Sequence, residues 1–104
     1  MIRFTSAAFG AVLVALITVP PTVSLAYTGQ ELEKGAKVSI ADARAIALQT
    51  RAGTITDEEL EHEKGGSGLR YSFDIKSGSA VYEVGVDAQT GKVLENKKEG
   101  RHPD

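Results

Sequence analysis

VYEVGVDAQTGKVL, residues 81–94, is the stretch that decides the fold, because it reads as a strand, a tight turn and a second strand. Tyr82, Val84 and Val86 alternate with polar or small residues, which is the period-2 pattern of a half-buried strand. Asp87 can accept hydrogen bonds from amides further round the turn, and Gly91 can adopt the positive φ that closes a type I turn with a bulge. The hairpin therefore fixes the register of the sheet, and with it the face that is buried.

A second alternating segment, residues 69–76, precedes this hairpin and is joined to it by Ser77-Gly78-Ser79. Its odd-numbered residues are large and apolar, whereas its even-numbered residues are polar or charged. Strict alternation of this kind predicts a strand with one buried face. The side chains expected in the core are Leu69, Tyr71, Phe73 and Ile75.

Residues 39–53 predict the one clear helix. Ser39 is a good N-cap, and Asp42 lies near the positive end of the helix dipole. The residues that follow are rich in alanine and long side chains, which favour helix. Gly53 suits the C-terminal cap. One stripe of the helix is expected to face a sheet, and it consists of Ile40, Ala43, Ile46, Ala47 and Thr50.

Residues 54–64 are ambiguous on their own pattern. Thr56 and Glu59 have the spacing of a capping box, which favours a second helix over residues 57–63. The alternative is an edge strand, with one face formed by Thr54, Thr56, Glu58, Leu60 and His62 and a water-facing side formed by Asp57, Glu59, Glu61 and Glu63. Residues 65–68, Gly-Gly-Ser-Gly, form a loop in either case.

Residues 1–26 have the three parts of a secretory signal peptide. Arg3 gives a short positive start, residues 7–19 form an apolar run interrupted only by one Gly and one Thr, and Ser24-Leu25-Ala26 offers small residues where a signal peptidase reads. A transmembrane anchor is the alternative, but the run is shorter than the roughly 20 residues of a membrane span. We therefore expect cleavage after Ala26, a secreted or periplasmic product, and no stable membrane insertion after cleavage.

The product of this cleavage, residues 27–104, has 11 Lys or Arg and 14 Asp or Glu, a net charge of −3. This balance argues against a nucleic-acid-binding protein, which needs a basic face to neutralise phosphates. The chain contains no cysteine, which excludes disulfides and thiolate zinc sites. A chain of this length can bury only one small core.

Two flanking segments complete the predicted layout. Residues 27–37 are polar and contain two glycines, so they are expected to be a flexible lead-in with at most a helical turn near Glu31–Lys34. Residues 96–104 are charged and include Pro103, so they are expected to be a disordered tail. The folded domain is predicted to span residues 38–95.

The order of these segments resembles the PepSY domain. The resemblance covers residues 38–95: a helix opened by Ser39 and closed by Gly53, a Glu-rich segment, an aromatic alternating strand, and a Tyr-Glu-Val-x-Val-Asp-Ala-x-Thr-Gly-x-Val run. It implies an α+β fold in which one N-terminal helix packs on a three- to four-stranded antiparallel sheet. The motif residues are Tyr82, Val84, Val86, Asp87, Ala88, Thr90, Gly91 and Val93, and their implied role is structural.

The same resemblance implies that the ambiguous segment is a strand, since Glu59-Leu60-Glu61 matches a Glu-Leu-Glu run of the family. Glu58 is a departure, because the family often has an aliphatic residue there. This departure either weakens the strand or leaves a carboxylate at the rim of the buried face.

No pattern in the sequence predicts catalysis or a cofactor. Residues 85–92 resemble a phosphate-binding loop only superficially, because the spacing is too long and Val93 stands where Ser or Thr should hold magnesium. His62 and His102 have no cysteine partners for a zinc site. An acidic strip, which consists of Asp57, Glu59, Glu61 and Glu63, could bind a cation, but alternate carboxylates lie in a row, whereas calcium prefers ligands from a wrapped loop. The simpler explanation is a solvated edge strand, whose charge discourages pairing with another sheet.

Three hypotheses for the function follow. The first is a non-catalytic extracytoplasmic binding or regulatory module, because the resemblance implies modulation or inhibition of a secreted or periplasmic peptidase, here in trans and through a sheet edge or loop. The second is a structural domain that forms a homodimer by strand pairing. The third is cation binding by the acidic strip. A protein partner is expected, with no nucleic acid.

Overall fold

A four-stranded antiparallel sheet covered on one face by a helix forms the domain. The computed structural model describes residues 26–100. The strands lie side by side in chain order, and the helix precedes them. This confirms the α+β prediction, with four strands in the sheet. The elements are a 3-10 helix Gln30–Gly35, α1 Ile40–Thr50, β1 Thr54–His62, β2 Leu69–Ser77, β3 Ala80–Asp87 and β4 Val93–Lys98.

The predicted signal peptide lies outside the described residues except for Ala26, and so do the last four residues of the predicted tail. Between residues 26 and 100, no helix combines the length and the apolar character that crossing a membrane requires.

Helix α1 begins where the sequence predicted. The Ser39 hydroxyl accepts a hydrogen bond from the Asp42 N–H at 3.0 Å, which satisfies one of the free amides of the first turn. Ala43 and Ala47 are fully buried, so the helix approaches the sheet closely. The helix ends at Thr50, with Arg51 rather than Gly53 as its C-cap. Gly53 instead lies against the backbone carbonyl of Lys76, which leaves no room for a Cβ.

The core lies between α1 and the inner face of the sheet. Tyr71 and Phe73 are its largest members and stack with ring centroids 6.4 Å apart. The Tyr71 hydroxyl donates to the Val38 carbonyl at 2.7 Å, so its polar atom is satisfied inside the core. Burial of each large apolar side chain contributes roughly 1.5–3 kcal/mol. The buried apolar residues are Ala43, Ala47, Leu60, Leu69, Tyr71, Phe73, Ile75, Val84, Val86 and Ala88.

Residues 54–62 form a strand, as the family resemblance implied, but a bulge between Ile55 and Asp57 changes its faces. Ile55 pairs with Ile75 on the inner face, and beyond the bulge Leu60 pairs with Tyr71 on that same face. Thr54 and Thr56 therefore do not belong to the buried side, contrary to the strict alternation expected from sequence. A bulge inserts one extra residue and so reverses the alternation on one side of it.

The segment predicted as a flexible lead-in is structured. It contains the 3-10 helix, which includes the helical turn expected near Glu31–Lys34, and Thr28 forms a parallel bridge to Glu59 on the outer edge of β1. Gly29 makes this contact possible, because its φ is 88° and a Cβ there would overlap the Leu60 carbonyl oxygen. The segment differs from the prediction because its glycine serves a specific turn and its Leu32 packs on the core.

The sheet also extends beyond the predicted domain boundary at residue 95. Strand β4 runs to Lys98, and the Glu99 N–H still donates to the Val81 carbonyl at 2.8 Å. Residues 96–98 were expected to belong to a disordered tail because they are polar. Their place in the sheet comes from backbone pairing with β3, which does not depend on apolar side chains.

Candidate functional site

The family motif forms the turn between β3 and β4. The Gly91 N–H donates to the Asp87 carbonyl at 2.9 Å, and the Asp87 N–H donates to the Lys92 carbonyl at 2.8 Å. Asp87 Oδ1 accepts from the Gln89 and Thr90 amides at 2.8 and 3.1 Å, and Gly91 has a φ of 81°. These hydrogen bonds and the positive φ of Gly91 are those predicted from the sequence. Asp87 and Gly91 therefore set the backbone conformation of the turn.

Asp87 also connects this turn to the loop before β2. Its Oδ2 accepts from the Ser67 N–H at 2.6 Å, and its Oδ1 accepts from the Ser67 hydroxyl at 2.9 Å. Burial by itself would raise the pKa of Asp87, but the hydrogen bonds from Ser67, Gln89 and Thr90 outweigh it and lower the pKa to about 2. The carboxylate therefore stays ionised while almost wholly buried, which suits a structural role.

The turn holds the N-terminal part of the domain as well. The Ala88 carbonyl accepts from both the Lys37 and Val38 amides at 2.9 Å, and the Ala88 N–H donates to the Leu69 carbonyl at 2.9 Å. One residue thus joins the segment before α1 to the start of β2. The motif residues Tyr82, Thr90 and Val93 lie at the surface or half-buried, whereas Val84, Val86 and Ala88 are in the core.

The surface that differs most from the rest of the molecule is the outer face of the sheet. No element within residues 26–100 packs over it, since α1 lies on the inner face. Register places Asp57, Asp74 and Glu83 directly opposite one another on β1, β2 and β3. Like charges opposite each other across strands are destabilising. We call this surface the acidic face, and it consists of Asp57, Glu59, Glu61, Asp74, Glu83 and Glu95.

Crowding of the carboxylates changes their titration. Burial and, after it, the neighbouring charges of Glu61 and Asp57 raise the pKa of Glu59. Burial and the charge of Glu99 raise the pKa of Asp74. Burial and the charges of Glu95 and Asp74 raise the pKa of Glu83. Each of these groups would be stabilised in its charged form by a cation brought close to the face.

Arg70 and Ser72 lie on the same face and are held in place by contacts with its carboxylates. The Arg70 side chain is only 9% exposed and lies over Gly85, with Nη1 3.0 Å from Glu95 Oε1 and Nη2 donating to the Lys64 carbonyl at 3.1 Å. The Ser72 hydroxyl donates to Glu61 Oε2 at 2.7 Å. Arg70 pairs with Glu95, and Lys97 lies opposite Glu83, but the six carboxylates outnumber the basic side chains, so the face remains acidic.

Glu58 lies on the opposite, inner side of β1, at the rim of the core. Its carboxylate forms a bidentate pair with Arg44 of α1, with both nitrogen–oxygen distances 2.8 Å. This pair explains how the chain accommodates an acid where the family often has an aliphatic residue. The Arg44 side chain is 39% exposed, yet it reaches the rim.

Of the predicted acidic strip, Asp57, Glu59 and Glu61 share the acidic face, whereas Glu63 lies beyond the end of β1. Within residues 26–100, no group of three or more acidic, histidine or cysteine side chains is arranged to hold a metal ion. Sequence reasoning did not group Asp74, Glu83 and Glu95 with the strip. The signal was available, because all three are polar positions of strands whose antiparallel register sets them beside β1.

A comparison with protein-family models matches residues 37–97 to PepSY, described as the peptidase propeptide and YPEB domain. The match covers more than half of the chain, and the chain belongs to this family. No curated protein and no solved structure matches it significantly. The matched segment begins after the 3-10 helix, so the lead-in that covers the β1 edge precedes the family domain.

Proposed function

We propose that this PepSY protein is an exported, non-catalytic module that binds a peptidase in trans and modulates its activity. The family description contains peptidase propeptides, which supports the class of partner. The predicted signal peptide of residues 1–26 supports export to the periplasm or the medium. Binding without chemistry is consistent with the site, where the buried Asp87 carboxylate is committed to backbone amides and the Ser67 hydroxyl.

The uncovered acidic face is the observation that carries this proposal. A sheet with one free face and opposed carboxylates loses stability to charge repulsion, and a partner that supplies Lys or Arg side chains relieves that repulsion on binding. The partner surface is therefore expected to be basic. Association through it should weaken with added salt, since salt screens exposed charges over roughly 10 Å at 0.1 M.

Co-purification from the extracytoplasmic fraction, followed by inhibition assays on the secreted peptidases, tests the proposal. Glu83→Lys reverses a charge in the middle of the acidic face, and we expect it to weaken binding and inhibition at least tenfold. Glu31→Lys is the matched control, because it makes the same change on the exposed 3-10 helix. Failure of the protein to bind or modulate any peptidase would refute the function. Equal effects of the two variants would refute the role of the acidic face.

A further inference from the structure

The two edges of the sheet differ in how they are protected. The outer edge of β1 is partly covered, since the Leu60 N–H donates to the Thr28 carbonyl at 2.9 Å, and it also has a bulge. Strand β4 forms the other edge, and within residues 26–100 no segment pairs with its outer side. An uncovered edge strand is a template for pairing with another chain.

The backbone groups available for such pairing can be identified. Tyr82 lies directly opposite Lys98, and the hydrogen bond from the Glu99 N–H to the Val81 carbonyl shows that odd-numbered residues of β4 point their backbone groups toward β3. Backbone groups alternate in direction along a strand, so those of Asn96 and Lys98 point away from the sheet. Any strand added at this edge must hydrogen-bond to these even-numbered residues.

We propose that β4 pairs antiparallel with β4 of a second copy, about a two-fold axis through Asn96. In this register, Asn96 faces Asn96 of the other copy, and Glu95 faces Lys97 twice. Opposite charges directly across a strand pair favour the pairing. A two-fold interface is self-complementary by symmetry, so one such pair always occurs with its twin.

The charges of β4 also exclude the neighbouring registers. Moving the axis to Glu95 places Glu95 opposite itself, and moving it to Lys97 or Lys98 places a lysine opposite itself. Each of these arrangements sets like charges directly opposite, which is unfavourable. The charges of Glu95, Lys97 and Lys98 therefore disfavour the registers centred on those residues and favour the one centred on Asn96.

An apolar residue lies at the same edge. Val93 is opposite Val86 on the helix side of β4, yet it is 38% exposed and is one of two large apolar residues that are exposed within the described part of the chain. In the dimer, the sheet becomes eight strands wide with both α1 helices on one side. The added strand removes apolar surface of Val93 from water, which favours association.

The interface is small, so the dimer is expected to be reversible. Stable complexes bury roughly 1,200–2,000 Å² in total, and pairing of two six-residue strands supplies less. We therefore expect a dissociation constant in the micromolar range. Dimerisation uses the backbone edge of β4 and shares only Glu95 with the acidic face, so it can be tested separately from the proposed peptidase binding.

Sedimentation equilibrium of the full folded protein between about 10 μM and 1 mM tests the dimer. Asn96→Pro removes an amide that β3 does not use, and proline is tolerated at that position of an edge strand, so the domain should fold but remain monomeric. Lys97→Glu opposes Glu95 with another glutamate, and it should raise the dissociation constant at least tenfold. Circular dichroism and thermal melting establish that both variants are folded.

Lys34→Glu is the matched control, because it changes the charge equally on the 3-10 helix, which contacts β1 at the opposite edge. It should associate like the parent protein. A parent protein that is strictly monomeric at 1 mM overturns the proposal. So does a dimer that persists in the folded Asn96→Pro variant, because self-association would then use another surface.

Discussion

The carboxylate of Asp87 accepts hydrogen bonds from both the backbone amide and the hydroxyl of Ser67, a residue 20 positions earlier in the chain. Ser67 belongs to the β1–β2 loop, and Asp87 is the last residue of β3, where the β3–β4 turn begins. Their contact holds these connections together at one end of the domain. It also keeps a negative charge buried at a position that the family motif supplies.

Asp87 should make stability fall at low pH. Its folded pKa of about 2 lies below the ordinary value of 3.8, so ionisation stabilises the fold above pH 3.8, and this contribution is lost as the pH falls toward 2. Asp87→Asn should lower the free energy of unfolding at pH 7 by on the order of 2 kcal/mol. It should also reduce the loss of stability that the parent protein shows as the pH falls toward 2. Urea denaturation between pH 2 and 7 measures both. Glu31→Gln is the control, and an unchanged acid limb in Asp87→Asn would contradict the assignment.

Between pH 7 and mildly acidic pH, the acidic face should make stability increase as the pH falls. Glu59, Asp74 and Glu83 have raised pKa values when folded, so protonation favours the folded state as the pH falls through them. Melting temperature is therefore expected to rise from pH 7 to mildly acidic pH before the Asp87 limb begins. Asp74→Asn combined with Glu83→Gln should raise stability at pH 7 and reduce the acid-induced rise. If the stability of this double variant rose as much as that of the parent, groups other than Asp74 and Glu83 would be responsible for the rise.

Substitution of Gly91 should destabilise the domain because of the positive φ at this position, and not because a side chain would lack space. Its φ is 81°, while a Cβ at this position would approach Ile46 at an ordinary contact distance of 3.4 Å. Gly91→Val should destabilise the domain by about 1–3 kcal/mol, since a β-branched residue is poorly accommodated at positive φ. Gly91→Asn should cost less, because asparagine tolerates this region. Thermal melts of the two variants decide, and equal losses would point to a steric cause.

The Arg44–Glu58 pair should contribute modestly to stability. Both side chains are partly exposed, at 39% and 20%, so solvent screens the interaction although the geometry is bidentate. A double-mutant cycle with Arg44→Ala and Glu58→Ala is expected to give a coupling energy of about 0.5–1 kcal/mol that decreases in 1 M salt. Zero coupling would mean that Glu58 is tolerated at the rim for another reason.

The segment before α1 should be needed for stability although it precedes the matched family domain. Gly29→Ala forces a Cβ into the Leu60 carbonyl and should destabilise the fold by more than about 2 kcal/mol. Gly78→Ala is the comparison, because that glycine also has positive φ but has open space around it. Chemical denaturation measures the difference. Similar losses in both would mean that the edge contact contributes little.

Local patterns predicted much of this fold. The Ser39 cap and the alanine stripe specify α1, and the Asp87–Gly91 turn specifies the hairpin, because in both cases the residues that interact are close in the chain. The β1 bulge at Thr56 was not predictable in this way, since it depends on pairing with β2. The lead-in was missed because its fixed contacts, such as that of Lys37 with Ala88, span 51 residues.

The acidic face could be predicted from the sequence only in part. Alternation along each strand showed which side chains share a side, but the charge density appears only when β1, β2 and β3 are placed in register. Asp57, Asp74 and Glu83 are 17 and 9 residues apart in the chain and become direct neighbours in the sheet. A binding surface formed by register alone leaves no contiguous motif.

The double hydrogen bond to the Ala88 carbonyl also sets an order of assembly. A ribosome releases the chain from its N-terminus, so Lys37 and Val38 emerge about 50 residues before the acceptor that holds them. The segment before α1 therefore lacks its hydrogen bonds to the Ala88 carbonyl until the β3–β4 turn has been synthesised. A chain shortened before Ala88 would leave the N-terminal segment open to proteases, so damage near one terminus would be detected as loss of structure at the other.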